Sequence, residues 1–295
     1  MIRRLCRVPP PGLAFIAGFV LLLAAFGTSA EPIPAGDGYR VVRVGGYNLE
    51  LHTYKPAGYA GGPLLLVFHG VGRDADAYRD NARPIADRLD MAVVAPLFDK
   101  ARFPSASYQR AGIADQRGLL PRKLWTGTLV VDLVDLLRRE EGRRDWPYAM
   151  IGHSAGGQFL GRFAAFMPHE ASRIVIANPS SWVFPTLGQV FPFGLGGDTA
   201  PLVDADFLQR YLAAPITVFL GANDTGDKSR DDSPGAVVQG ATRHERGLNF
   251  FRAGAALAQE KGWPLNWRLV EVPGAGHSSK RMFEAAQVAE ALSGN

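Results

Sequence analysis

Cysteine is almost missing from this chain of 295 residues: Cys6 is the single example, and it stands ahead of the first apolar run. Past that point no disulfide can brace the fold, which must rely on a hydrophobic core. Histidine is scarce too, with six residues. Their spacing suits no metal, so neither a metal nor any other cofactor is expected. Asp224, Asp227, Asp231 and Asp232 crowd one loop, but in a spacing that matches no calcium site. An excess of one charge is also lacking. The chain has 32 Lys and Arg against 28 Asp and Glu, and three of the basic residues are Arg3, Arg4 and Arg7. Taking those three from 32 leaves 29 against 28, so the basic balance belongs largely to the N-terminus and gives no ground for a nucleic-acid partner. No internal repeat is evident, which sets repeat architectures aside.

What is present begins with those arginines, then an uncharged apolar run from Leu13 to Phe26, then the small residues Thr28-Ser29-Ala30. This is the layout of a signal peptide over residues 1–30, with cleavage after Ala30. The run is short for a bilayer span, which takes about 20 residues, so no stable membrane insertion is expected after cleavage. Cys6 precedes the run and cannot serve as a lipid-anchored residue at the cleavage site. The expected mature chain, residues 31–295, is exported to the periplasm or secreted. Its length and a hydrophobic content of 47% over the whole chain suit one large domain.

Two strands, Tyr39 to Val44 and Tyr47 to Tyr54, meet at Gly45-Gly46 as a hairpin. A continuous apolar run follows at Leu64 to Phe68, and further strands at Met91 to Ala95, Tyr148 to Ile151, Arg173 to Ala177, Ile216 to Leu220 and Trp267 to Val272. Such runs suit strands buried on both faces. Between them lie helical patterns at Ala75 to Leu89 (with Asp74 as N-cap), Thr126 to Glu140, Ala155 to Phe166, Thr242 to Lys261 and Ser279 to Leu292. The alternation predicts a mostly parallel sheet with helices on both faces and an antiparallel hairpin at one edge. Two irregular stretches interrupt it, residues 96–125 and 178–214, and stretches of that length inside a domain are usually functional. In such a sheet the ligand site lies beyond the carboxyl ends of the strands.

One strand end stands out. Gly152-His153-Ser154-Ala155-Gly156 joins an apolar strand to a helix, the setting in which a serine is exposed on a tight turn as a nucleophile. Small neighbours leave room for the turn, and the N–H of Ala155 opens the helix toward an oxyanion. His69-Gly70-Val71-Gly72, after the third strand, offers the N–H of Val71 as second donor, with His69 shaping the loop. Gly221-Ala222-Asn223-Asp224 places a carboxylate just past another strand, with Asp227 in reserve. The strand ending at Ala177 is followed by Asn178-Pro179-Ser180-Ser181 and no carboxylate, so that alternative acid position is empty. Gly276-His277, before the last helix, supplies a base. Ser154, Asp224 and His277 then stand in chain order as nucleophile, acid and base.

With these motifs the chain resembles the α/β-hydrolase superfamily, most of all its exported serine esterases and polyhydroxyalkanoate-depolymerase-like proteins. The resemblance runs from about Tyr39 to the C-terminus. It implies a three-layer fold with a sheet of about eight strands in one catalytic domain, carrying loop or cap insertions near 96–125 and 178–214. It implies a hydrolase acting on small or polymeric esters through a Ser-His-Asp triad. The chain departs from the His-Gly-Gly-Gly oxyanion turn of some lipase-like branches.

The two irregular stretches are expected to overhang Ser154. Trp182 and Phe184, with Phe191 and Phe193, are candidates to line an apolar acyl pocket, or else to cover the sheet edge. Arg102, Arg110, Arg117, Arg122 and Lys123 make the first stretch basic, either a solvated charge run or an attraction for a carboxylate-bearing substrate. A peptidase or a polyester depolymerase on the same triad, and a non-catalytic binding protein on the same scaffold, are the alternatives.

Overall fold

Alternate residues of the central strands face opposite ways, and the core divides accordingly. Leu64, Leu66, Val94, Met150, Ile174, Ile176 and Val218 face one layer, and Leu65, Val67, Val93, Ile151, Val175 and Phe219 face the other. The computed structural model describes residues 31–293; the expected signal peptide, residues 1–30, lies outside the described residues. The sheet is built from β1 (Gly36–Val44), β2 (Tyr47–Lys55), β3 (Leu64–Phe68), β4 (Ala92–Pro96), β7 (Tyr148–His153), β8 (Arg173–Ala177), β9 (Ile216–Gly221) and β10 (Arg268–Val272). A separate small hairpin pairs β5 (Ala114–Asp115) with β6 (Gly118–Leu119).

The eight strands lie in the order β1-β2-β4-β3-β7-β8-β9-β10. β1 pairs antiparallel with β2, β2 antiparallel with β4, and the remaining pairs are parallel. The hairpin turns at Gly45 and Gly46, at φ 53° and 86°, values open to glycine at no steric cost. One face carries α1 (Ala75–Leu89), α7 (Ser279–Glu284) and α8 (Val288–Leu292). The other carries α2 (Thr126–Glu140), α3 (Ala155–Phe166), α4 (Ala205–Ala213) and α6 (Arg243–Lys261). Burying side chains such as Phe159 and Ile151, both fully buried, contributes about 1.5–3 kcal/mol each. No helix among the described residues is long and apolar enough to cross a membrane.

One local expectation holds in position only, and three need correction. Asp74 stands at the N-cap of α1 but makes no capping bond there, and Pro84 lies within the helix without ending it. The stretch after β4 is a packed wall, with Phe98 and Tyr108 stacked 5.3 Å apart against Phe159. The 178–214 stretch holds a regular helix, α4, whose N-cap Asp204 accepts from the N–H of Phe207. The last helix is two, α7 and α8, broken at Ala285 (ψ 146°). Buried Met282 and Phe283 are followed by buried Val288, Ala291 and Leu292, and the five-residue step from 283 to 288 is out of phase with one apolar face. The break brings both sets onto the sheet. α5 (Pro234–Val237) is a single turn within the loop after β9.

Candidate active site

Three strand ends meet at one point of the C-terminal edge. Ser154 connects β7 to α3 at φ 58° and ψ −115°, a backbone state costing of order 1–3 kcal/mol that only surrounding structure can hold. The neighbours show what holds it. A Cβ on Gly156 would lie 2.2 Å from the carbonyl oxygen of Phe68, and one on Gly152 would lie 2.6 Å from the carbonyl carbon of Gly156. β3, β7 and α3 can therefore approach only through these two glycines. The N–H of Ser154 donates to Ala177 O at 3.0 Å, tying the turn to β8.

The loop after β9 carries Asp224 and the loop after β10 carries His277. The two are laced together: Asn223 N–H donates to Ala275 O (2.9 Å) and Ala222 N–H to Val272 O (3.1 Å). A Cβ on Gly221 would come within 2.6 Å of Ala275 O, so this contact needs glycine. As a result His277 Nδ1 lies 2.7 Å from Asp224 Oδ2, and His277 Nε2 lies 3.0 Å from Ser154 Oγ. With Nδ1–H donating to the carboxylate, Nε2 is left to accept from the serine hydroxyl. The Asp224 side chain is fully buried, whereas Asp227 is exposed.

The turn after β3 is pinned from several sides. His69 is fully buried; its Nε2 accepts from Phe98 N–H at 3.1 Å, and its Nδ1–H donates to Gly70 O at 3.1 Å. Both nitrogens are committed, and burial pushes its pKa down to about 4, so it is a neutral structural group. Tyr108 Oη donates to His69 O (2.8 Å), and the Arg73 guanidinium lies over the Tyr108 ring and donates to Phe98 O. Val71 thereby stands on the wall of the cleft that holds Ser154, and Ala155 is the first residue of α3.

Several residues of this site carry no sequence signal of their own. His153 is buried, its ring 4.6 Å from that of His277, and its Nδ1 accepts from Tyr78 Oη at 3.2 Å. Burial, with His277 and Arg243 adding to it, holds the His153 pKa far below the ordinary value, so a neutral ring lies against His277. Gly70 leaves room for Tyr78, whose Oη would be 2.6 Å from a Cβ there. Asn178 follows β8 at φ 46°, and its Oδ1 accepts from Gly221 N–H at 2.9 Å. The position without a carboxylate thus braces the start of the Asp224 loop. Arg243, at the start of α6, donates to Gly226 O (3.1 Å) and Lys228 O (2.7 Å) and lies 3.4 Å from Asp224 Oδ1. Burial lowers its pKa and Asp224 opposes that shift. A helix beginning with arginine gives no hint of this from sequence.

The cleft around Ser154 has a volume of about 640 Å³, and polar residues, Asp74, Tyr78, Asn223, Lys228 and Lys280, stand around the triad residues. The aromatic candidates lie elsewhere. Trp182 is 1% exposed and stacks on Phe250 of α6 at 4.5 Å, and Phe184 meets the same ring edge-on at 5.8 Å. Gln239 secures the segment by bonding both the N–H and the carbonyl of Trp182 (2.9 and 2.8 Å). Phe250 offered these rings a core face, and they took it in preference to the cleft. Phe191 packs on Phe166 (5.7 Å), and Phe193 rests against Gly235. Of the basic stretch, Arg102 pairs with Asp99 and Arg117 with Asp115. Arg122 lies over Trp125, while Arg110 faces a second cleft.

Among known proteins, no family model matches the chain and no curated protein matches it. Solved structures do match. A poly(aspartic acid) hydrolase-1 from Sphingomonas sp. KT-1 is 34% identical with a TM-score of 0.81, covering 88% of this chain and 99% of its own. A poly(3-hydroxybutyrate) depolymerase, LpqC, from Bordetella parapertussis is 32% identical with a TM-score of 0.79, covering 85% and 88%. An S-formylglutathione hydrolase from Staphylococcus aureus, 13% identical at a TM-score of 0.53 and covering 89% and 99%, is similar in fold alone.

Proposed function

The chain belongs to the α/β-hydrolase superfamily and is a serine hydrolase; on that premise we propose that it is exported and cleaves carboxylic esters through an acyl-enzyme on Ser154. The observation that carries this reading is His277, 3.0 Å from Ser154 Oγ on one side and 2.7 Å from Asp224 on the other. Ser154 Oγ attacks the ester carbonyl while its proton passes to His277 Nε2. Asp224 holds the imidazole in the accepting tautomer and stabilises the imidazolium. The N–H groups of Val71 and Ala155 bind the oxyanion, and loss of one such donor typically costs roughly 100- to 1000-fold in turnover. His277 then returns the proton to the leaving alcohol. A water, deprotonated by the same imidazole, releases the acid and restores Ser154.

A second reading, hydrolysis within a polymer chain, draws support from an open cleft of about 640 Å³ without Trp182 or Phe184 on its wall. Two of the similar structures, at 34% and 32% identity, bear the names of polymer hydrolases. Export draws its support from the layout of residues 1–30.

The test is a fluorophosphonate probe on the mature protein. It labels the wild type at Ser154 and leaves Ser154→Ala unlabelled; equal labelling of both sinks the reading. A panel of short 4-nitrophenyl esters, aminoacyl amides and polyester films ranks the substrates. N-terminal sequencing of the protein from an expressing culture, with Glu31 first, tests export.

A further inference from the structure

Beside the serine cleft lies a second one of about 310 Å³, and Ser229 lines both. Three guanidinium groups, Arg110, Arg162 and Arg230, face it against one carboxylate, Asp231. Arg162 is 1% exposed, yet it bonds only to neutral acceptors. These are the carbonyls of Gln158 (3.1 Å), Ser181 (2.9 Å) and Pro192 (2.7 Å), and Ser181 Oγ (3.0 Å). Its Nε, also buried, has no partner. Burial draws its pKa down to about 10, which leaves it charged at neutral pH.

Other buried arginines supply the comparison. Arg243 and Arg246 are equally buried, and each has an aspartate within reach, Asp224 at 3.4 Å and Asp232 at 3.9 Å. Arg173 lacks one, but it opens β8 at the far end from Ser180 and Ser181. Arg162 alone of these four joins a buried charge with no carboxylate at ion-pair distance to the wall of a cleft, where Asp231 acts on it only from across the cavity. A buried cation without a counter-charge is costly, and an anion entering the cleft relieves that cost. Arg230 is occupied by Asp232 (2.7 Å), while Arg110 is exposed at the cleft edge.

The position relative to the nucleophile is set by α3. Gln158 N–H donates to Ser154 O, and Arg162 follows one turn later. A helical turn rises about 5.4 Å, and helical side chains lean toward the N-terminus, so the guanidinium points back toward Ser154. The two clefts adjoin at Ser229.

We propose that the second cleft is an anion subsite, in which Arg162 and Arg110 receive a carboxylate borne by the substrate some bonds away from the scissile carbonyl. The substrate class is then an ester or amide with a remote carboxylate, an acidic oligomer included. This rests on the serine-hydrolase reading above.

The experiment uses mono-4-nitrophenyl esters of adipic, suberic and sebacic acids, each beside its neutral counterpart in which the remote carboxylate is a methyl ester. The ratio of kcat/KM for acid over methyl ester is the readout, in the full mature enzyme. The wild type prefers the acid at one chain length by about tenfold or more, as expected of charge-assisted hydrogen bonds, and added salt erodes the preference. Arg110→Glu and, separately, Arg162→Gln bring the ratio close to one, chiefly through KM for the acid. The ratio is internal to each variant, so partial loss of folded enzyme does not alter it. Fluorophosphonate labelling with unchanged ratios in both variants overturns the subsite. Absence of both labelling and turnover in the wild type overturns the serine-hydrolase reading, and the subsite with it.

Discussion

Asp224 faces an imidazole and a guanidinium at once: its Oδ2 lies 2.7 Å from His277 Nδ1, and its Oδ1 lies 3.4 Å from Nη1 of Arg243, whose side chain is 1% exposed. Arg243 also bonds the carbonyls of Gly226 and Lys228, so one side chain aims the carboxylate and holds the loop that carries it. Arg243→Gln is expected to lower kcat by roughly 10- to 100-fold with little change in KM for a small ester, because the loss falls on alignment of His277 and not on binding. Removing one partner of a buried ion pair costs about 3–5 kcal/mol, so thermal unfolding moves down as well. The rate of fluorophosphonate labelling separates the two effects. A variant that is less stable but labels at the wild-type rate removes Arg243 from the positioning role.

Acid stability follows from histidines buried in the neutral form. His69 has both ring nitrogens engaged, and its pKa is held at about 4 against an ordinary 6.5. As pH falls below 6.5 the unfolded chain takes up its proton first. The stability is therefore complete above that pH and is lost on the way down to about 4. The gap corresponds to about 3 kcal/mol, and His153 and His169, also lowered by burial, add in the same direction. Urea unfolding at several pH values between 7 and 4 measures the slope, and His69→Gln is expected to make it shallower. Equal slopes in the two proteins would contradict the assignment.

Trp182 distinguishes a core residue from a pocket residue. Stacked on Phe250 at 4.5 Å and 1% exposed, it is expected on truncation to alanine to destabilise the fold by about 3–5 kcal/mol. For a domain of this size that lowers Tm by roughly 10 °C. KM for esters of different acyl length should keep its wild-type pattern at temperatures where the variant is folded. A selective rise in KM for long acyl chains, with Tm unchanged, would put the ring back in the substrate path.

The same tryptophan shows why the sequence was legible in parts. Helices α1, α2 and α3 begin and end where their periodicity predicts, because each buries one apolar stripe against a continuous sheet face. The elbow and the two loops facing it were readable because their chemistry needs particular residues at strand ends. An aromatic-rich segment such as 178–214 has no such constraint: its rings fit a pocket or a core equally well until a partner like Phe250 is placed. Arg243 and Asn178 act through contacts across the chain, with Asp224 and Gly221, and neither residue type nor spacing announces that. The break between α7 and α8 was visible only as a five-residue gap in buried positions, a signal too short to read without the sheet it packs on.

Two aspartates of the loop after β9 compete for the triad in sequence. Asp224 and Asp227 lie three residues apart in one loop, but only Asp224 turns inward, fully buried on His277. Its backbone explains the choice: Asp224 N–H donates to Gly221 O at 2.9 Å, folding the chain back over the end of β9. Asp227 comes after that turn and faces solvent. Asp224→Asn keeps the shape but offers an amide that favours the wrong tautomer of His277. By analogy with other Ser-His-Asp enzymes it is expected to lower kcat by about 10⁴-fold. Asp227→Asn, which removes a charge from solvent, is expected to stay within about twofold, as surface substitutions generally do. Stopped assays with 4-nitrophenyl butyrate at pH 7 and at higher pH add a further check. If the amide acts by mis-setting the imidazole, part of the lost rate returns when hydroxide takes over the proton from Ser154. Loss of activity in the Asp227 variant comparable to that in the Asp224 variant would reverse the assignment.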